Sequence, residues 1–328
     1  MSSKIRWLVL GCGGIARKFI SDMPFVKDGI VNAVASRTTE KAAAFAAEYS
    51  IEKHYGSYAE GINDPDIDAV YIATPHPMHL EDALMCIEAG KAVLCEKPLT
   101  VNSTQAAEII AAAREKNVFL MEAMWTRFVP ATQKFTKLIE DGAIGKVVSA
   151  NINFGFFLDV PDTHRIFNPD LGGGALLDIG IYAASMASLI FKSQPQSITS
   201  KAIMHKTGVD INDSITFDYG DNRLASIQIS CSSMMPVEAT VSGTEGYIKL
   251  CRPFYCSEKI EVRNGDNVSI YEIPTRGEGY CCQIQHVCEC IKAGKKESKI
   301  MPLDETLQIM RTLDKTRTQW NLTYPCEV

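Results

Sequence analysis

Short apolar runs rich in Val, Ile and Leu recur through the first 123 residues, with helix-forming stretches between them. The runs are Ile5 to Leu10, Ile30 to Ser36, Asp68 to Thr74, Lys91 to Glu96 and Asn117 to Glu122. The stretches include "TTEKAAAFAAEY", "PMHLEDALMCIEAG" and "NSTQAAEIIAAAREK". Continuous apolar runs are what strands covered on both faces require. Strand and helix in strict alternation imply right-handed crossovers and a parallel, doubly wound α/β sheet. Thr39 and Ser103 stand where helices should start, and Gly90 where one should stop.

From about Met124 the pattern changes. A helical segment near Ala131 to Asp141 leads into a β-rich region at Val147 to Phe157, Ser197 to His205, Asp213 to Tyr219, Leu224 to Ser230 and Val237 to Leu250. Turn residues at Gly220, Asp221 and Gly246 join successive strands, so an antiparallel sheet is expected, with helices at Ala175 to Phe191, Gln283 to Ala293 and Asp304 to Trp320 over one face. A chain of 328 residues exceeds most single cores, and two domains are expected, at residues 1–123 and 124–328.

With a net charge of −6 and no basic run, the chain carries no electrostatic footprint for nucleic acid or an anionic membrane. The four apolar residues between Arg6 and Gly11 are too few for an export signal or a membrane span, so a cytoplasmic protein is expected. Its eleven cysteines then read as reduced thiols. Cys281, Cys282, Cys288 and Cys290 cluster with His286 but lack paired C-x-x-C spacing, and no metal is expected there. Cys281 and Cys288 fall on one helical face as small buried side chains.

Gly11-Cys12-Gly13-Gly14-Ile15-Ala16 follows the first strand and opens a helical pattern, the context a G-x-G-x-x-G/A dinucleotide motif needs. Gly11 permits a tight turn, Gly13 lets the backbone approach a pyrophosphate, and Ala16 allows close helix packing, with the phosphate charge at the helix N-terminus. A carboxylate at the end of the second strand would accept hydrogen bonds from the 2′-hydroxyl of NAD. Here "VASRTTEK" puts Ser36 and Arg37 there instead, which favours NADP, with NAD as the alternative.

The glycine motif, "ATPHPMHLE" (Ala73 to Glu81), "CEKPLTVN" (Cys95 to Asn102) and "GGGALLDIGIY" (Gly172 to Tyr182) together resemble the glucose-fructose oxidoreductase, inositol dehydrogenase and rhizopine-catabolism (Gfo/Idh/MocA) family of NAD(P)-dependent oxidoreductases. The resemblance covers nearly the whole chain. It implies an N-terminal Rossmann domain and a C-terminal α+β domain with a large, mostly antiparallel open sheet. "EAMWTRFVP" (Glu122 to Pro130) and the Tyr of "DIGIY" look most like dimeric dihydrodiol dehydrogenases and NADP-dependent D-xylose dehydrogenases. Many other members carry His in place of Tyr182, which weakens the case for an inositol-type substrate.

Carried over residue by residue, the resemblance assigns Lys97, with Glu96 before it, to the nicotinamide end of the cofactor. A lysine at a strand end can bind the reacting hydroxyl and stabilise alkoxide charge. Tyr182 is the candidate general acid/base, since a neighbouring cation would bring its phenol down from an ordinary value near ~10. Asp178, one helical turn earlier, would orient substrate. Thr74, Pro75, His76 and His79 are expected to line the cofactor, and His79 the substrate too. Trp125, Arg127 and Phe128 would form a substrate wall, the plainer reading of the two aromatics being internal packing. Asp162 and Arg165 are further possible substrate contacts by the same resemblance.

The expected activity is hydride transfer between NADP and a CH–OH carbon of a sugar such as D-xylose, or of a trans-dihydrodiol. Two alternatives compete: a non-catalytic NADP(H)-binding regulator, because a fold alone does not establish chemistry, and a sugar reductase of the 1,5-anhydrofructose type. The expected partners are a small-molecule substrate and a second copy of the chain, bound through the C-terminal sheet as in the relatives.

Overall fold

The computed structural model describes residues 4–327. Two compact units emerge. The first comprises the residues up to Thr100, Thr104–Trp125 and Arg276–Thr306; the second comprises Val101–Ser103, Thr126–Thr275 and the residues from Leu307 onward. A single boundary after residue 123 therefore omits a segment that returns to the first unit.

The first unit is built on a six-stranded sheet of order β3-β2-β1-β4-β5-β6. Its strands are β1 (Ile5–Leu10), β2 (Gly29–Ala35), β3 (Lys53–Tyr55), β4 (Ala69–Ile72), β5 (Ala92–Glu96) and β6 (Leu120–Ala123). Every pairing is parallel. The connecting helices are α1 (Gly14–Asp22), α2 (Thr39–Glu48), α3 (Tyr58–Ile62), α4 (His79–Glu88) and α5 (Ser103–Glu115). Trp7, Leu8, Val9 and Leu10 are wholly buried, as a central strand covered on both faces demands. The strand order reverses beside β1, which places the ends of β1 and β4 where open α/β sheets bind ligands.

Two elements here have no apolar run to announce them. β3 is a three-residue edge strand whose polar side chains are met by carboxylates: Lys53 Nζ lies 2.9 Å from Asp64 Oδ2 and 2.7 Å from Asp66 Oδ2, and Tyr55 Oη lies 2.7 Å from Asp64 Oδ2. α3 follows it directly. α2 is capped one residue earlier than expected, by Thr38, whose Oγ1 accepts the Lys41 amide at 3.3 Å.

The second unit begins with α6 (Pro130–Glu140) and β7 (Val147–Gly155). A π-helical turn, Leu176–Gly180, then runs directly into α7 (Ile181–Phe191). β8 (Ser197–Met204), β9 (Asp210–Gly220), β10 (Arg223–Ser230), β11 (Glu238–Gly243), β12 (Tyr247–Leu250), β13 (Lys259–Asn264) and β14 (Asn267–Glu272) complete an eight-stranded sheet of order β14-β13-β12-β11-β7-β10-β9-β8. All neighbours are antiparallel except β7 and β10, because the earliest strand lies between two later hairpins. β13 and β14 escape the sequence pattern because β14 is an edge strand exposed along nearly its whole length.

One face of this sheet is dry: Ile152, Ile215, Phe217, Ile227, Ile229 and Val241 are all buried. α7 lies close to it, since a Cβ at Gly180 would meet Ile229 Cδ1 at 2.7 Å. The segment Pro169–Phe191 is long and apolar enough to cross a membrane, but 94% of its apolar window is buried in the protein, as a core helix is.

The returning segment of the first unit carries α8 (Tyr280–Lys292), and α9 (Leu303–Thr318) follows. α8 has no side-chain cap of its own. Asp22, at the end of α1, supplies one by accepting the amides of Glu278 and Cys281 at 2.8 and 2.9 Å. Gln285 ties the same helix to the turn before β2, donating to Asp28 Oδ2 at 2.6 Å and accepting the Lys27 amide at 2.9 Å. Cys281, Cys288 and Cys290 are buried in α8, and burial pushes the Cys288 thiol up to about 11.

Candidate active site

The glycine loop divides its work unequally. Gly11 has φ +92°, and a Cβ there would stand 2.9 Å from the Ala73 carbonyl oxygen, so only glycine lets β1 turn beside the end of β4. Gly13 and Gly14 have no such need, because φ is not positive at either and a Cβ at either would meet nothing within 4 Å. Gly13 is the N-cap residue of α1 and offers no side-chain cap, and the first turn of α1 holds no acid. The backbone N–H groups at this helix end are therefore directed at an exposed surface, the arrangement that receives a phosphate.

Cys12, Ser36, Arg37 and Lys41 surround the ends of β1 and β2. Ser36 is buried, Arg37 and Lys41 are exposed, and Cys12 feels both the Ser36 hydroxyl and the Lys41 charge. Arg17, one turn into α1, is engaged with Glu48, with Tyr49 Oη at 3.2 Å and with the Phe45 ring. Arg37 and Lys41 are thus the exposed cations beside the ends of β1 and β2, and no acid stands at the end of β2.

Lys97 sits in a turn held at every residue. The Lys97–Pro98 peptide is cis. The Lys97 amide donates to Glu96 Oε2 at 3.3 Å, the Pro98 carbonyl lies 2.9 Å from His79 Nδ1, and the Leu99 amide donates to Glu122 Oε1 at 3.1 Å. Glu96 also accepts the Tyr71 hydroxyl, and Glu122 Oε2 accepts Thr306 Oγ1 at 3.1 Å. Glu122 was not singled out from the sequence; an acid in an otherwise apolar strand was the available signal.

His79 departs from its expected role. It is completely buried, so no ligand can reach it, and its other nitrogen, Nε2, lies 2.9 Å from the Thr74 carbonyl. Burial lowers its pKa, while the Thr74 and Pro98 carbonyls, each an acceptor that needs a ring N–H, oppose that shift. His79 ties the end of β4 to the Lys97 turn. Thr74 is held too, its hydroxyl donating to Asp82 Oδ2 at 2.7 Å. Asp82 is buried beneath it, and desolvation pushes its carboxyl up to about 6. Pro75 is exposed, whereas His76 is buried with its ring 5.8 Å from that of His79.

In the second unit, Asp178 lies within the π turn and Tyr182 one position into α7. π turns open the regular helix and recur at functional sites. Arg165 reaches Asp178 with three contacts of 3.3 Å, and the Asp178 side chain is 10% exposed against 55% for Arg165. This ion pair holds the carboxylate. Tyr182 packs against Phe154 and Tyr255, with ring centroids at 5.7 and 5.9 Å, and keeps a narrow exposed edge.

Of the expected substrate contacts, Arg127, Trp125 and Phe128 are buried in the protein, and Asp162 is engaged at its surface. Arg127 is 2% exposed, its Nε donating to Ser185 Oγ at 2.9 Å and its Nη2 to the Ser185 carbonyl at 3.0 Å, so it braces α7 from within. Trp125 stacks on Tyr280 at 4.7 Å, and Phe128 is buried. These two aromatics follow the plainer packing reading because large apolar rings gain most from burial. Asp162 pairs with Lys206 and with His205 Nε2 at 3.3 Å on the surface.

A glycine loop at the N-terminus of α1, on a parallel sheet of this strand order, defines a dinucleotide-binding protein of the Rossmann class. A family profile described as an oxidoreductase family with an NAD-binding Rossmann fold matches residues 5–124, and one described as a GFO/IDH/MocA C-terminal domain matches residues 132–249. The chain belongs to the Gfo/Idh/MocA family and is an NAD(P)-dependent oxidoreductase. It is 38% identical to a trans-1,2-dihydrobenzene-1,2-diol dehydrogenase of Xenopus laevis, over 98% of this chain and 99% of that one. It is 35% identical to the human protein of the same name, over 98% of each. Among solved structures it resembles a 3-ketoreductase from Actinomadura kijaniata in complex with NADP and TDP-benzene, with 25% identity, a TM-score of 0.86 and coverage of 96% and 98% of the two chains. An aldose-aldose oxidoreductase from Caulobacter crescentus complexed with glycerol gives 25% identity, a TM-score of 0.87 and the same coverage.

Proposed function

We propose that this chain is an NADP-dependent dehydrogenase that oxidises a CH–OH group of a trans-dihydrodiol or of a sugar such as D-xylose. The observation that carries the reading is the pair Gly13 and Gly14, glycines with no steric reason to be glycine, at a helix end whose amides face outward. That cradle fits a pyrophosphate. Arg37 and Lys41 fit a 2′-phosphate, which supports NADP over NAD. When bound, the nicotinamide ring supplies the hydride acceptor.

The protein's own part is to place and deprotonate the alcohol. Lys97, fixed by its strapped turn, holds the reacting oxygen and stabilises negative charge on it. Tyr182 takes the hydroxyl proton as the C–H bond gives up its hydride, leaving a carbonyl, and passes the proton to solvent. Asp178, held by Arg165, orients a second hydroxyl. A vicinal diol or a sugar presents that second hydroxyl and a simple alcohol does not, and the names of the relatives support the diol.

The test is reduced-nicotinamide absorbance with NADP and with NAD, across a trans-dihydrodiol, D-xylose, other aldoses and myo-inositol. Turnover with NADP on the diol or the aldose is expected. Cofactor binding without turnover on any of them would overturn the reading in favour of a regulator. We further propose a homodimer through the outer face of the eight-stranded sheet, where half-exposed Asn153, Thr216, Gln228 and Thr240 stand in neighbouring strands. Light scattering at the mass of one chain would overturn this. The eleven free thiols support a reducing, cytoplasmic setting.

A further inference from the structure

Behind the π turn, in the second unit, lie two carboxyl groups that the reaction does not use. Asp210 and Asp213, on β9, are both fully buried and interact side chain to side chain. Asp210 Oδ2 accepts the Leu176 amide at 2.5 Å, which caps the turn that carries Asp178 and leads into Tyr182. Gly174, at φ +112°, brings the backbone so close that a Cβ there would stand 2.3 Å from Asp210 Oδ1. Tyr324 holds the same glycine turn from another side, donating to the Gly173 carbonyl at 2.8 Å.

The remaining oxygens of this pair present a chemical difficulty. Among the described residues, Asp210 Oδ1 and both Asp213 oxygens meet no donor. Two ionised carboxylates in contact would leave buried charge facing buried charge, which proteins do not tolerate without a proton or a cation between them. One proton resolves it by turning Asp213 into a donor toward Asp210. Asp213 is accordingly pushed far above the ordinary carboxylate range by burial and by Asp210. The neighbouring titratable groups are Cys231 and Tyr324, both pushed up by burial, with Asp178 and Arg165 acting on Cys231, and Arg317 and Glu327 on Tyr324.

We propose that Asp210 and Asp213 form a proton-sharing carboxyl pair that positions the helix bearing Asp178 and Tyr182, a role that rests on the reading of those two residues as the proton-handling side of the site. Asp213 acts through Asp210, and Asp210 through the Leu176 amide. They are positioning residues, and the cofactor half of the protein does not depend on them.

The experiment compares Asp213→Ala, Asp213→Asn and Tyr182→Phe in the full chain. Three readouts are taken: turnover of a trans-dihydrodiol with NADP, NADPH binding by fluorescence, and hydrogen exchange at residues 175–180. Asp213→Ala is expected to speed exchange at Leu176 and Asp178 and to lower kcat by on the order of tenfold to hundredfold, as a small misplacement does, with NADPH affinity within about twofold. Asp213→Asn, which donates permanently through its amide, is expected to restore both. Unchanged exchange in Asp213→Ala, or no rescue by Asp213→Asn, overturns the pair. Exchange does not depend on turnover, so normal activity in Tyr182→Phe would overturn the reading of Tyr182 and leave the pair standing.

Should Asp213→Ala not fold, the pH dependence of thermal stability decides. The native pair retains a proton that the unfolded chain releases near its ordinary value of 3.8, so stability falls as pH rises from 5 to 9. Asp213→Asn removes that contribution and flattens the fall. An unaltered slope overturns the proposal.

Discussion

Replacing Gly13 by alanine separates a glycine kept for a ligand from one kept for the fold. The φ of Gly13 is −100° and ψ −173°, extended backbone open to any residue, and the new methyl would meet nothing within 4 Å. Without cofactor the variant should be as stable as the parent, or gain about 0.5 kcal/mol from the stiffer unfolded chain. The methyl instead occupies the space a pyrophosphate needs and holds it off the helix amides. Losing one charge-assisted hydrogen bond costs about 1.5–3 kcal/mol, so NADPH affinity should weaken by roughly 10- to 150-fold.

Gly11→Ala is the counterpart. Left-handed backbone and a 2.9 Å approach to the Ala73 carbonyl should cost that variant about 2–4 kcal/mol of stability, the strained φ alone contributing about 1–2. Thermal melts without ligand, paired with NADPH fluorescence titrations, read both quantities. Unchanged NADPH affinity in a stable Gly13→Ala protein would refute the placement of the pyrophosphate at the α1 terminus.

Lys97→Met and Tyr182→Phe should each lower kcat by at least about 100-fold, the scale of lost acid–base and alkoxide stabilisation, with NADPH affinity retained; steady-state kinetics check this. Arg37→Ala should weaken NADP by roughly 10- to 100-fold and leave NAD within about threefold, measured as the ratio of their dissociation constants; equal weakening of both would remove the 2′-phosphate assignment. Asp82, raised from 3.8 to about 6 by burial, makes the fold more stable in acid, an advantage present below 3.8 and lost as pH rises through 6. Asp82→Asn should abolish about 3 kcal/mol of that difference between pH 3.5 and 7, read from denaturant midpoints. Arg127→Met leaves Ser185 with unmatched acceptors and should lower the unfolding free energy by about 2–4 kcal/mol.

The parallel sheet was legible because its strands are buried on both faces, which writes them as unbroken apolar runs such as "IRWLVL". The glycine loop was legible because its spacing follows from the turn, the phosphate and the helix packing at once. β3 and β14 were not, because short or exposed edge strands need no apolar face. Side-chain roles were harder still. Arg127 and His79 read as ligand contacts because polar residues beside a motif suggest chemistry, yet Ser185 and the Thr74 and Pro98 carbonyls engage them inside. Asp213 only opened a strand in the sequence and Asp210 fell before it, since nothing in "VDINDSITF" announces that the π turn will close over them. The return of α8 to the first unit rests on Asp22 and Gln285, contacts across more than 250 residues that no local pattern encodes.

The most direct test of the central claim follows one hydrogen. The trans-dihydrodiol, or D-xylose, is prepared with deuterium on its hydroxyl-bearing carbon and incubated with the protein and NADP, and the reduced cofactor is examined by proton NMR and mass spectrometry. Direct hydride transfer predicts one deuterium at nicotinamide C4, on a single face, in stoichiometry with the carbonyl product. Reduced cofactor that carries only solvent hydrogen would contradict it.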